Sequence, residues 1–112
     1  MTKAEFARKH IDRRLAPLRA ATLERPAQGW IRAIREGLGM TTAQLSARMG
    51  LSQPRVVAIE HAEAQGRINL RTLERAARAL DCHLVYALVP KQSLDKIVRD
   101  RAMSVAAEQL RS

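Results

Sequence analysis

Residues 41–60 read TTAQLSARMGLSQPRVVAIE. Two short helical patterns with a turn between them lie in these letters. The Thr41 hydroxyl suits the N-cap of a helix over about Thr42 to Met49. Leu45 and Met49 then fall one turn apart on its inner side. Gly50-Leu51 form a tight turn. Ser52 caps a second helix over about Gln53 to His61, with Val56 and Ile59 inward. Pro54 is tolerated because the first turn of a helix has unpaired N–H groups in any case.

Outward from this stretch the helical period continues. Trp30 to about Leu38 places Ile31, Ile34 and Leu38 on one face, and Gly37 and Gly39 close it. Glu63 to Ile68 reads as a loop. Asn69 caps a helix to about Leu80, with Leu70, Leu73, Ala76, Ala77 and Leu80 in step. Thr2 and Glu5 have capping-box spacing, and a helix from about Lys3 to Ala16 carries a stripe of Ile11, Leu15 and Leu18. Pro17 is expected to kink or end it. Arg25 to Gly29 reads as a linker. Cys82 to Val89 changes period: it is short, rich in β-branched and aromatic residues, and bounded by Pro90, so it reads as a strand. The chain offers it no second strand. Pairing with the same segment of another copy, through Leu84, Val85, Tyr86, Ala87 and Leu88, makes a two-fold dimer. Ser93 caps a last helix to about Leu110, with Leu94, Ile97, Val98 and Val105 as its apolar side. The expected fold is mainly α: a helix-turn-helix bundle with one C-terminal strand and a helix at each terminus. Its segments are a basic helical piece at 1–25, a DNA-binding unit at 30–80, a dimerisation strand at 82–90 and a final helix at 93–112.

Composition narrows the class. The chain has 112 residues, a size for one small domain with short appendages. Its formal net charge is +9, which calls for an anionic partner. Residues 1–35 hold nine basic and three acidic side chains, residues 36–70 three and three, and residues 71–112 eight and five. The neutral middle does not bind by charge alone. A hydrophobic content of 46% argues against a disordered tail. Aromatics reach only 3% (Phe6, Trp30, Tyr86), too few for a platform that stacks single-stranded bases. No run approaches the length of a membrane helix, and the charged N-terminus has no secretory core. One cysteine, Cys82, excludes an internal disulfide and suits the reducing cytoplasm. His10, His61 and His83 are scattered, and no metal spacing or phosphate loop appears. The expectation is therefore neither an enzyme nor a metal or cofactor protein.

The stretch at 41–60 closely resembles the Xre (Cro/C1-type) helix-turn-helix family. The resemblance rests on small Ala47 at the helix crossing, Gly50 in the turn, the Ser52-Gln53 opening and the Val56, Ile59, Glu60 spacing, and it covers about residues 30–80. It implies that the second helix enters a DNA major groove with its N-terminal residues against base edges. Gln53 stands there and can make a bidentate contact to adenine. Arg55 reaches either guanine or a phosphate. Val57 and Ala58 either meet thymine methyls or pack on the helix that follows. Pro54 shortens the polar reading edge, which shifts weight to DNA shape. Thr42 and Ser52, near helix N-termini, fit phosphate oxygens. Arg67 and Asn69 follow the reading helix and fit the DNA backbone, while Arg48 reads as a solvated charge.

Four segments extend the likeness: Asp12 to Arg19, Gly29 to Arg35, Thr72 to Leu80, and Leu84 to Pro90. Together they resemble "mobile mystery protein A", a family of Xre-type proteins of bacterial mobile elements. That resemblance implies a Fic-domain toxin as partner, one that transfers AMP from ATP, and a double role as antitoxin and autorepressor. Fic-inhibiting helices resemble Ser/Thr-x-x-x-Glu-Gly/Asn. Ser104 and Glu108 fit that motif, and Gln109 departs from it. Two other readings use the same residues: a regulator with no toxin, and a toxin inhibitor whose DNA binding is incidental. The basic N-terminal helix separates contact with DNA from contact with protein. If it touches phosphates, neutralising Arg8, Lys9, Arg13 and Arg14 together flattens the dependence of DNA affinity on salt, by about one unit of slope per lost contact. An unchanged slope in titrations at several salt concentrations assigns the helix to a protein partner.

Overall fold

The computed structural model describes residues 1–111. Six helices are present among them: α1 (Lys3–Arg19), α2 (Trp30–Gly37), α3 (Thr42–Met49), α4 (Gln53–Ala64), α5 (Leu70–Ala79) and α6 (Leu94–Arg111). The chain divides into two compact units, one of residues 24–86 and one of residues 1–23 with 87–112.

The unit of residues 24–86 holds α2 to α5 around a small apolar core. Leu45 and Val56 are fully buried, and Ile31, Met40, Met49, Ile59, Ala76 and Leu80 close around them. The inward positions expected on α3 and α4 are therefore the core positions. Leu38 and Leu70, expected inward, are instead exposed. Leu38 falls at the end of α2, where Gly39 (φ 66°) turns the chain and delivers Met40 to the core in its place. Each short helix is capped by a side chain. Thr41 and Gln44 bond reciprocally in a full capping box, with Gln44 N–H donating to Thr41 Oγ1 at 3.1 Å and Thr41 N–H to Gln44 Oε1 at 2.8 Å. The Ser52 and Asn69 side chains accept from the N–H groups of Arg55 and Thr72.

α4 runs to Ala64, one turn beyond the expected end, because that turn is buried. Glu63, expected in a loop, is only 3% exposed. Its carboxylate accepts the N–H of Ile31 at 2.9 Å and so caps α2 from another helix. Arg25, expected in a linker, donates to the carbonyls of Glu63 and Ala64. One turn earlier, Glu60 accepts from Arg35 through both oxygens, at 2.6 and 3.1 Å, and Arg35 also donates to Met40 O. The hydrogen bonds that Arg35 donates to the Glu60 carboxylate raise the Arg35 pKa above its ordinary value. That contribution is full below the ordinary arginine value and is lost as pH rises through the raised one, so it does not vary near neutrality.

Residues 82–90 form no strand, contrary to the expectation. Cys82 N–H returns to Ala77 O, closing the end of α5. A strand requires a neighbouring backbone for its ladder, and none of the described residues supplies one. Val85, Tyr86 and Leu88 are well exposed and Leu84 is half-buried.

In the other unit α1 packs on the start of α6. α1 continues past Pro17 to Arg19 rather than stopping near Ala16. Pro17 has no N–H to donate to Arg13 O, so the last turns of α1 form without that one rung of the ladder. Asp12 accepts the N–H groups of Leu94 (2.7 Å) and Asp95 (3.4 Å), capping α6 from α1, and Arg8 pairs with Asp95 at 3.0 Å. Neither helix buries a residue fully, and α6 is exposed from Val98 onward.

The Arg35–Glu60 pair is buried, with side chains 11% and 6% exposed. Arg35→Ala leaves the Glu60 charge without a partner and is expected to cost about 3–5 kcal/mol of unfolding free energy in denaturant titration. Gly29 has φ 88°, and a Cβ there would lie 2.5 Å from Glu63 Oε1, an oxygen already held by Ile31. Gly29→Ala is expected to cost at least about 1–3 kcal/mol in the same titration; an unchanged midpoint would show that the α2 cap carries no stability.

Candidate nucleic-acid interface

α3 and α4 are joined by a turn centred on Gly50, at φ 67°, where glycine avoids the Cβ strain of left-handed backbone. Gly50 N–H bonds back to the carbonyls at the end of α3. The small residue buried on α3 is Ser46, whose hydroxyl donates to Ala43 O at 2.8 Å. Ala47, expected at the crossing, is exposed instead, on a groove it shares with Leu38, Met40 and Gln44.

α4 has two sharply different sides. Val56, Ile59, Glu60 and Glu63 are buried. At about 100° per residue these four lie together, and the opposite side presents Pro54, Val57, Ala58, His61 and, just past the helix end, Gln65. No charged side chain stands on that outward strip. Val57 is 37% exposed, which takes it out of the core, and Ala58 is exposed too. Gln53 is at the helix start, one turn before Val57. Its amide donates to Thr42 Oγ1 at 2.7 Å. This bond orients the amide and leaves its oxygen and second N–H available.

The charges stand beside the strip. Arg55, Arg67, Asn69 and Thr72 line a shallow concavity of about 260 Å³ between α4 and the start of α5, together with Ala58 and Ile68. Arg67 also bonds to Gln65 Oε1, and Asn69 is engaged as the cap of α5. Two other arginines are committed to the fold. Arg75 donates to Met49 O, and Arg48, exposed as a solvated surface charge is, also donates to Ala79 O and lies 4.0 Å from Asp81.

The structure thus brings Thr42, Ser52, Gln53, Pro54, Val57 and Ala58 to one region, with Arg55, Arg67 and Asn69 along its flank. Thr42 is half-buried and accepts from Gln53, and Ser52 is occupied as a cap. His61 and Gln65 were missed by the sequence reading. The outward period that finds Pro54 and Ala58 also finds them, once the helix is carried past His61. Ser104 and Glu108 lie on exposed α6, remote in sequence from this region. No group of histidine, cysteine and acidic residues suited to a metal ion occurs among the described residues, and none of their helices is long and apolar enough to cross a membrane.

A helix-turn-helix family model matches residues 31–86, half of the chain. The chain belongs to the helix-turn-helix family. The match covers α2 to α5, and the family is of the Xre/Cro-C1 type, so the protein is a DNA-binding regulator. No curated protein and no solved structure matches the chain. Within this helix-turn-helix unit α3 supports and α4 presents, the arrangement in which the second helix reads the major groove.

Proposed function

We propose that this helix-turn-helix protein is an operator-binding autorepressor and the antitoxin of a Fic-type toxin, acting on DNA as a pair of copies. The observation that carries the DNA reading is the outward side of α4. It is uncharged, begins at an oriented Gln53, and is flanked by Arg55 and Arg67. Such a helix enters a groove without burying an unpaired charge, while the flanking guanidinium groups meet phosphates. Gln53 reads adenine through its amide. Thr42 holds that amide as an acceptor and keeps its O–H proton to donate to a phosphate oxygen. Selection from random DNA yields an inverted repeat, with half-sites about one turn, roughly 34 Å, apart. On the selected site Gln53→Ala costs about 1–3 kcal/mol and relaxes base choice at one position. Equal loss on unrelated DNA would remove Gln53 from the reading set.

The pairing runs through Leu84, Val85, Tyr86, Ala87 and Leu88. The support is that Val85, Tyr86 and Leu88 are exposed and that the segment makes no ladder within its own chain. Apolar residues this exposed are covered in a dimer, and strand addition satisfies the free backbone groups. The antitoxin reading rests on the resemblance of the four quoted segments and on α6, which is exposed from Val98 onward around Ser104 and Glu108. Co-expression with a Fic-domain protein encoded beside it tests the point. Full-length protein restores growth and co-purifies. Deletion of residues 93–112 keeps DNA binding and loses both effects. A harmless neighbour, or no complex, leaves a regulator without a toxin.

A further inference from the structure

We infer that the outward side of α1 is a second DNA contact, which grips the phosphate backbone of the duplex that the helix-turn-helix binds. The inference rests on the DNA reading above and extends it to a helix outside residues 31–86, the part that the family model matches. α1 divides into sides by what each residue meets. Glu5, Arg8, Asp12, Leu15 and Arg19 are its half-buried residues. Their spacing of three and four puts them within about 80° of one another. From this side Arg8 and Asp12 reach α6. Both acids of α1 belong to it, and Asp12 is engaged with the N–H of Leu94 and lies 3.9 Å from Arg19. Arg8 is taken up by Asp95 at 3.0 Å.

The other side is left with cations and no acid. Lys3, Lys9, His10, Arg13 and Arg14 are all exposed. They fall within an arc of about 140° along roughly 16 Å of helix. Among the described residues, Lys3, Lys9, Arg13 and Arg14 make no ion pair and no side-chain hydrogen bond. Other exposed cations are paired one turn along: Arg32 with Glu36, Arg78 with Glu74 and Lys96 with Asp100. Lys9 and Arg13, four residues apart, are instead a like-charge pair that weakens the helix unless an anion lies against it. A duplex presents one phosphate for roughly every 1.7 Å of its axis, so this side meets several at once. A protein interface is built differently, on apolar and aromatic side chains with lysine depleted. Phe6 is the one large apolar side chain in the arc. The unit that carries α1 is joined to the helix-turn-helix unit twice, through residues 20–29 and 80–93, neither of them in a helix. A duplex held by the second unit is therefore at high local concentration for the first.

The test uses the full chain and a site selected from random DNA, in a duplex with about one extra turn on each flank. Affinity is measured by fluorescence anisotropy between about 50 and 200 mM salt. One variant combines Lys3→Gln, Lys9→Gln, Arg13→Gln and Arg14→Gln. Glutamine is a good helix former, and circular dichroism checks that α1 persists. Each phosphate contact contributes about 0.9 to the slope of log affinity on log salt, so the slope becomes shallower by about three to four units per copy. Across that range of salt the native protein then loses on the order of 100-fold more affinity than the variant. The charge-preserving exchange Lys3→Arg, Lys9→Arg, Arg13→Lys and Arg14→Lys keeps the native slope. Removing paired cations instead, by Arg32→Gln, Arg78→Gln and Lys96→Gln, changes the slope much less per charge. In phosphate-ethylation interference, a set of phosphates that blocks the native protein ceases to block the first variant. An unchanged slope in that variant overturns the inference and assigns the basic side of α1 to an acidic protein. An equal effect per charge from the paired cations overturns it too, since net charge then accounts for the whole. Both outcomes leave the DNA reading standing, whereas no duplex binding by the native protein overturns both.

Discussion

The buried pairing of Arg35 with Glu60 is the contact on which the rest of residues 24–86 depends. A charged carboxylate inside a core of eight apolar residues is tolerable only with a fully engaged partner. Arg35 provides both of its hydrogen bonds and ties Met40 O as well, so α2, the turn after it and α4 share one set of bonds. Glu63 repeats the device one turn on, with Ile31 N–H and Arg25 as its partners. With both acids turned inward, the rotation of α4 about its own axis is settled. Its outward side is then whatever the remaining positions carry.

Those positions carry little charge. A reading helix lined with arginine would bind any phosphate-rich duplex tightly and discriminate through hydrogen bonds. Here the cations near α4 are set to its side, and the middle third of the sequence is neutral. The unit of residues 1–23 and 87–112 holds eleven basic and five acidic residues, the larger share of the net positive charge.

The terminal helices follow a different logic from α2 to α5. α1 and α6 are joined by Asp12 capping α6 and by the Arg8–Asp95 pair, with Leu15, Leu94 and Ile97 half-buried between them. Exposed ion pairs contribute little, and no residue of either helix is fully buried. Most helical stability in proteins comes from packing an amphipathic face. Phe6, Leu18, Val105 and Met103 remain uncovered on these two helices.

The sequence by itself determined the helix-turn-helix. Thr41, Ser52 and Asn69 are capping side chains that act within three residues, and Leu45, Met49, Val56 and Ile59 repeat at the helical period, so both signals are local. Gly50 marked the turn because only glycine enters left-handed backbone without strain. For the same reason Gln53, Val57 and Ala58 were legible as outward residues of α4. Contacts between residues far apart in the chain were not legible. Nothing near Glu63 says that it caps α2, 32 residues earlier, or that Asp12 caps α6, 82 residues later. The same holds for Ser46 rather than Ala47 being the small buried residue of α3, since one position on a helix changes the face by about 100°. Residues 82–90 show the limit most plainly. β-Branched composition expresses a preference, but a strand exists only where another backbone lies alongside, and among the described residues the tertiary structure places none there.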